Sequence, residues 1–115
     1  MKVTELQGPA LDWAVAKCEG IELIGRRYNR LLVDGHMSQG QEMMAPYKPS
    51  TDWAQGGPII EREGIAIYLY GDGEWQAVLE KEYEGPTPLI ASMRCYVASK
   101  LGEEIEVPIE LLEAA

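Results

Sequence analysis

The chain has 115 residues, which is the size of one globular domain, and we expect a single domain over residues 1–115. Its 46% hydrophobic and 25% charged residues argue against intrinsic disorder. Ten Lys and Arg stand against 19 Asp and Glu, and the net charge of −9 disfavours direct binding to nucleic acid or to an anionic membrane surface. It permits a basic protein partner, although such a charge also serves solubility alone.

The sequence also predicts the cellular compartment. It shows no secretion leader, and no apolar run approaches the roughly 20 residues that span a bilayer. Cys18 and Cys95 each lie in an apolar helical pattern, as buried free thiols do. We therefore expect a cytoplasmic protein without a disulfide framework and without membrane contact.

The first predicted helix covers residues 9–19. Pro9 suits the first helical position because the N–H group that proline lacks has no partner there. Gly20 is a plausible stop. Apolar residues recur at the spacing of one buried helix face, at Leu11, Ala14, Val15 and Cys18.

Residues 31–33 predict a short buried strand, and the next stretch shows neither helical nor strand periodicity. Gly, Pro, Ser and Gln are frequent in it, so we expect a long irregular loop at about 34–50. Loops of this length in compact domains are mobile or functional. The single histidine, His36, has no Cys or His at ligand spacing, so no metal site is predicted.

The next helix is predicted to begin after Asp52, whose side chain can accept backbone N–H bonds. Pro58 falls inside it and cannot donate a helical hydrogen bond. We therefore expect either a kink or two short turns that meet at this residue. Gly56 and Gly57 allow another backbone to approach closely.

The second half of the chain predicts a β-hairpin from residues 65–70 and 75–79, joined by Gly71-Asp72-Gly73. The first strand carries apolar or aromatic residues on both faces, so we expect cover on both sides of the sheet. A last long helix is predicted from the cap Thr87 to Leu101, apolar nearly all round and deeply packed. We expect a further strand at 105–107 and a helical turn at 109–112.

Together these elements predict an α+β fold with a small antiparallel sheet of three or four strands and helices on both faces, an α/β/α sandwich. A resemblance supports this prediction. Residues 11–17 resemble the opening helix of the phage NinX family, and two further segments resemble signatures of that family and of the related phage αβα-sandwich domain. The three segments read LDWAVAK (11–17), STDWAQGGPIIERE (50–63) and GPTPLIASMRCYVASKLG (85–102).

The resemblance implies a three-layer α/β/α sandwich that is encoded by a bacteriophage or prophage and acts in the bacterial cytoplasm. It does not extend to the stretch from about 26 to 48. It implies no activity, because the family is a domain of unknown function.

Arg94 is the most unusual residue in these segments. An arginine in an otherwise apolar helix must reach solvent or find a carboxylate. One interpretation is a buried pair with an acid such as Asp52 or Glu61. The other is anion recognition beside the helix start at 85–88, where free N–H groups favour an anion.

Acidic and aromatic residues form the other candidates. The carboxylates of Asp12, Asp52, Glu61 and Glu63 could bind Mg²⁺ or act as acid and base, whereas Asp52 as a helix cap is the structural alternative. Tryptophans in such positions belong to the core or, when exposed, anchor a protein partner. The predicted interaction or ligand site comprises Asp12, Trp13, Asp52, Trp53, Glu61 and Arg94.

No residue set meets the requirements of catalysis or of cofactor binding, and we predict neither. We expect an interaction protein with an acidic surface that acts on a host or phage protein, for example a basic, nucleic-acid-binding one. The alternative is a small ligand-binding or enzymatic domain with a cleft near Trp53, Gly56, Gly57 and Arg94. An open edge at the hairpin also predicts a homodimer.

Overall fold

The computed structural model describes the backbone of residues 1–23, 25–27, 30–38 and 41–113, and the side chains of residues 1–23 and 46–111. A short 3₁₀ turn at Val3–Glu5 comes first. The elements after it are α1 (Gly8–Glu19), β1 (Gly25–Arg27), β2 (Arg30–Ser38), β3 (Gln41–Tyr47), α2 (Trp53–Glu63), β4 (Ala66–Tyr70), β5 (Glu74–Val78), β6 (Glu82–Gly85), α3 (Pro88–Leu101) and α4 (Ile109–Glu113).

The helix ends follow the capping residues in the sequence. Helix α1 ends at Gly20, which has the left-handed backbone conformation that favours glycine. Asp52 caps α2 by accepting a bond from the Ala54 N–H, and Thr87 caps α3 by accepting one from the Ile90 N–H. Helix α2 is continuous across Pro58, which excludes two separate turns.

Helix α3 lies at the centre of the molecule. It packs against β4, β5 and β6 on one side and against α1 and α2 on the other. Ala91, Cys95 and Val97 are almost completely buried in it, so the prediction of a deeply packed last helix is confirmed. A Cβ at Gly85 would overlap the backbone at Ala91, so this glycine lets β6 approach the helix closely.

Within the described residues, the strands form two antiparallel sheets of three strands each, in the orders β1-β2-β3 and β4-β5-β6. The α+β class and the predicted hairpin, now β4 and β5, are confirmed. Strand β6 adds to the hairpin and was not expected. Its sequence, EYEG, alternates exposed glutamates with the buried Tyr83 and Gly85, and this alternation is the strand signal.

The prediction of an irregular loop at about 34–50 is wrong. Residues 34–38 belong to β2 and residues 41–47 to β3, and the two strands pair with each other. Pro46 is accommodated because β3 is an edge strand, where a missing N–H need not break a ladder. The side chain of His36 lies outside the described residues.

Cover of the second sheet also differs from the expectation. Its inner face packs on α3, but Tyr68 and Tyr70 of the opposite face are exposed. Helices α1 and α2 pack on the side of α3 that faces away from the sheet. They therefore form a second helical layer there and do not cover the opposite face of the sheet. Residues 105–107 form no strand, whereas the helical turn expected at 109–112 is present as α4.

Candidate functional site

The exposed side of the second sheet, which we call the outer face, is the main functional candidate. Cross-strand register places Tyr68 opposite Gln76 and Gln76 opposite Glu84, while Tyr70 lies opposite Glu74. Side chains of directly opposed residues project from the same side of a sheet. The outer face therefore carries Ala66, Tyr68, Tyr70, Glu74, Gln76, Val78, Glu82 and Glu84.

A row of hydrogen bonds crosses the outer face. The Tyr68 hydroxyl donates to Oε1 of Gln76, and Nε2 of Gln76 donates to Oε1 of Glu84 over 3.3 Å. Glu82 lies near the same hydroxyl, with Oε1 at 3.4 Å. Gln76 is only 7% exposed, although its neighbours on this face are open to solvent. The row connects side chains of all three strands across the outer face.

An open cavity of about 390 Å³ lies where the outer face meets the edge of β6. Glu74, Glu82 and Glu84 line it together with Gln76 and the single basic residue Arg94. Three carboxylates against one guanidinium give this surface a negative potential. The cavity therefore suits a cationic group better than an anion.

Arg94 binds backbone rather than carboxylate. Its Nε donates to the carbonyl oxygen of Leu6 and its Nη1 to that of Glu84, both over 2.8 Å. The predicted pairing with Asp52 or Glu61 is therefore not the one that this side chain makes. Burial lowers the pKa of Arg94. Anion recognition also loses support, since the guanidinium lies among three carboxylates.

Asp12 lies in the interior, 5% exposed, and Oδ1 accepts a hydrogen bond of 2.9 Å from the Ser50 N–H. The bond connects α1 to the turn that precedes α2. Burial is the largest influence on this carboxyl group and raises its pKa to about 6, although the hydrogen bond from the Ser50 N–H opposes the rise. This contact gives Asp12 a structural role. It also joins two of the segments that resemble the NinX family, residues 11–17 and 50–63.

The remaining acidic candidates do not form a catalytic or metal-binding pair. Asp52 caps α2, Glu61 is exposed, and Glu63 forms ion pairs with Arg62 and Lys100. Within the residues that the structure describes, no group of three or more His, Cys, Asp or Glu side chains could hold a metal ion.

The two tryptophans have different surroundings. Trp13 is half-buried and packs against the core, with the Lys17 ammonium 5.4 Å from the centre of one of its rings. Trp53 is 54% exposed at the start of α2. They therefore do not form an exposed pair.

The cleft proposed near Trp53, Gly56, Gly57 and Arg94 is not assembled. Pro49 and Leu89 occupy the space beside Gly56, where a Cβ would overlap them. The cavity that Arg94 lines contains neither the tryptophan nor the glycines. The predicted backbone approach at Gly56 is present, but it serves packing.

A second polar cluster joins the C-terminal ends of α1 and α2 to α3 and was not predicted. Arg62 of α2 forms two bonds to the Glu19 carboxylate of α1, 2.6 and 3.0 Å long. The hydroxyl of the buried Tyr96 in α3 donates to the same carboxylate. Bonds from Arg62 are the largest influence on Glu19 and lower its pKa, so this cluster stabilises the charged form.

Sequence reasoning missed the outer face because the alternating tyrosines in β4 were interpreted as residues that need cover. The glutamates of EYEG, which alternate with buried residues, are the signal that marks a solvent-facing side. No helix in the described part of the chain has the length and apolar character needed to cross a bilayer.

Comparison with known proteins shows which family the chain belongs to. The model of the family described as Bacteriophage P22, NinX matches residues 2–100. This span includes the whole outer face and nearly all of α3. No curated protein matches the chain.

Proposed function

The chain belongs to the Bacteriophage P22 NinX family of phage accessory proteins, and on that premise we propose that it binds a basic host or phage protein through the outer face, without catalysis. One observation carries the proposal. Tyr68 and Tyr70 stand exposed beside the carboxylates of Glu74, Glu82 and Glu84, on a sheet face that no described helix covers.

The chemistry of the outer face suits a protein partner. Tyrosine combines a large apolar ring with a polar hydroxyl, and it is enriched at protein interfaces for that reason. The adjacent carboxylates can pair with lysine or arginine, while the rings can accept those cations over their faces. A basic protein therefore complements both components of this surface.

The charge of the whole molecule supports the same partner. A net charge of −9 attracts a basic protein over distance and speeds its association at low salt. It also repels nucleic acid, so we propose contact with a protein rather than with DNA or RNA. The site of action that we propose is the bacterial cytoplasm, where phage accessory proteins meet host proteins.

Two charge-reversed variants test the proposal. Glu82→Lys with Glu84→Lys reverses two carboxylates of the outer face. Glu22→Lys with Glu106→Lys makes the same change in net charge at exposed positions elsewhere. Each immobilised protein is exposed to an extract of phage-infected cells, and every retained protein is identified and purified for measurement of its Kd at several salt concentrations.

We expect a basic protein that the native chain and the control retain at low salt and release at high salt. The outer-face variant should bind that purified protein roughly 100-fold more weakly, which corresponds to the loss of about 3 kcal/mol from two charge pairs. Equal affinities for the two variants would remove the outer face from the proposal. A circular dichroism melt confirms that both variants fold.

A further inference from the structure

The two outer edges of the second sheet, at β6 and at β4, have different surroundings. At β6, Arg94 donates to the Glu84 carbonyl, and the turn at Val3–Glu5 packs against the strand. Strand β4 pairs with β5 on one side, and within the described residues no other strand pairs with it. Its second edge therefore presents backbone N–H and C=O groups without strand partners.

Strand β4 lacks the features that normally protect such an edge. Its five residues, AIYLY, contain no charged residue and no proline, and its register with β5 runs without a bulge from Ala66 to Tyr70. Five residues is an ordinary strand length, so the edge is not a shortened one. Leu69 and Tyr70 are each 56% exposed. An apolar, regular and exposed edge is the kind that accepts another strand.

We infer that an extended basic segment of the partner protein adds to β4 as a fourth strand of the second sheet, an inference that rests on the function proposed above. Alternate residues of an added strand would project on the same side as Tyr68 and Tyr70. Basic residues at those positions can lie over the tyrosine rings. The carboxylate of Glu74 lies two strand spacings away, about 10 Å, within reach of two extended side chains.

The opposite side of the added strand meets different chemistry. Ile67 and Leu69 project on the inner side of β4, where Ile67 packs against the core. The partner residues on that side should therefore be apolar. The structure thus assigns a partner segment in which basic and apolar residues alternate.

Charge argues for a different protein rather than a second copy at this edge. Each copy carries −9, and pairing two β4 strands would bring two acidic outer faces into one continuous surface. Strand β4 itself contributes no basic side chain to offset this repulsion. A basic segment gains from the same field that opposes self-association.

A pair of synthetic peptides tests strand addition directly. The first is an end-blocked peptide of alternating lysine and valine, long enough to span the five residues of β4. The second has the same sequence with methyl groups on the amide nitrogens of alternate residues along one edge, which keeps the charge but removes those N–H donors. Three proteins are compared: the native chain, Leu69→Lys, and Leu101→Lys as a control at another exposed apolar position.

We expect the native chain and Leu101→Lys to bind the unmethylated peptide at least roughly ten-fold more tightly than the methylated one, because two or more backbone hydrogen bonds are lost. Leu69→Lys should lose a similar factor, since it places a like charge at the edge. Hydrogen exchange of the amides at Ala66–Tyr70 should slow when the unmethylated peptide is bound.

The other outcomes overturn strand addition in distinguishable ways. Equal affinity for both peptides, with sensitivity to Glu82→Lys and Glu84→Lys, leaves the proposed function intact and rejects the added strand. Binding of neither peptide by a chain that still retains its basic partner has the same meaning. A dimer in light scattering at micromolar concentration that Leu69→Lys converts to a monomer identifies a second copy as the occupant and refutes the inference.

Discussion

The β6 and β4 edges of the second sheet show two uses of charge in one small protein. At β6, the guanidinium of Arg94 is committed to two backbone carbonyls, those of Leu6 and Glu84. At β4, the nearby carboxylates of the outer face remain open to solvent, and the strand itself carries no charge. The first arrangement closes an edge, and the second leaves an edge and an acidic surface accessible.

The comparison teaches that burial decides whether a charged side chain serves stability or recognition. Arg94 is partly buried and Asp12 almost fully buried, and each bonds the backbone of a segment distant in the chain. Glu82 and Glu84 are exposed, and their carboxylates can exchange water for a cationic partner. Substitutions in the first group should therefore change stability, and those in the second should change binding.

The largest expected effect is at the closed edge. Replacing Arg94 by Met keeps the apolar stem but leaves the carbonyls of Leu6 and Glu84 without their donors, and we expect a loss of about 3 kcal/mol of unfolding free energy in urea titrations. Lys100→Met removes a positive charge from the same helix at an exposed ion pair and should cost less than about 1 kcal/mol. Equal losses for the two variants would contradict the closing role of Arg94.

A pH experiment sharpens the comparison at Asp12. The pKa of this carboxyl is about 6 in the folded protein and 3.8 in the unfolded chain, so the folded state holds the proton more tightly. Its contribution to stability is full below pH 4 and falls by up to about 3 kcal/mol as pH rises past 6. In Asp12→Asn the amide can still accept the Ser50 bond but does not titrate.

The stability of Asp12→Asn relative to the native chain should therefore rise between pH 4 and pH 7. Unfolding titrations of both proteins across this range measure the difference, and other titrating groups, such as Glu19, cancel in it. A difference that stays constant with pH would show that Asp12 is hydrated in the folded state.

A smaller effect is expected within the outer face. Tyr68→Phe removes the hydroxyl that donates to Gln76 and should cost about 1 kcal/mol, because the buried amide oxygen loses a partner. Tyr70→Phe makes the same chemical change at a more exposed ring and should alter the free energy of unfolding by less than about 0.5 kcal/mol. Indistinguishable melts of the two variants would indicate that the row across the sheet contributes no stability.

The smallest change in stability is expected at the open edge. Leu69→Lys should alter the unfolding free energy by less than about 0.5 kcal/mol, because more than half of this side chain is already exposed. Ile67→Lys, two residues earlier on the same side of β4, places a charge against the core and should cost about 2 kcal/mol or more. Similar costs at both positions would mean that the β4 edge is covered.

Local signals explain which elements could be predicted. The caps Asp52 and Thr87 and the stop at Gly20 act within a few residues, and each helix begins or ends where they indicate. The hairpin follows from its tight glycine turn. Residues 34–38 of β2 and all of β3 were mistaken for a loop because their sequence shows no alternating side-chain pattern, and backbone pairing does not require one.

The candidate site was predictable only in part. Asp12 and Asp52 were recognised as notable, and both prove to bond backbone N–H groups. Tyr68 and Tyr70 were visible in the sequence, but their exposure depends on which side of the sheet α3 occupies. The Glu19–Arg62–Tyr96 cluster was not predicted because its members are 34 to 77 residues apart along the chain.

The sequence by itself determined the helix limits, the hairpin, the acidic charge and the membership of a phage protein family, because these depend on neighbouring residues or on composition. Only the tertiary structure decided that Arg94 bonds carbonyls instead of carboxylates and that one sheet face stays open. The physical reason is that a side chain's partners are chosen by the packing of distant segments. Arg94 is partly buried and donates hydrogen bonds to the carbonyls of Leu6 and Glu84, which is a structural role. The glutamates of the outer face are exposed to solvent and can therefore bind a partner.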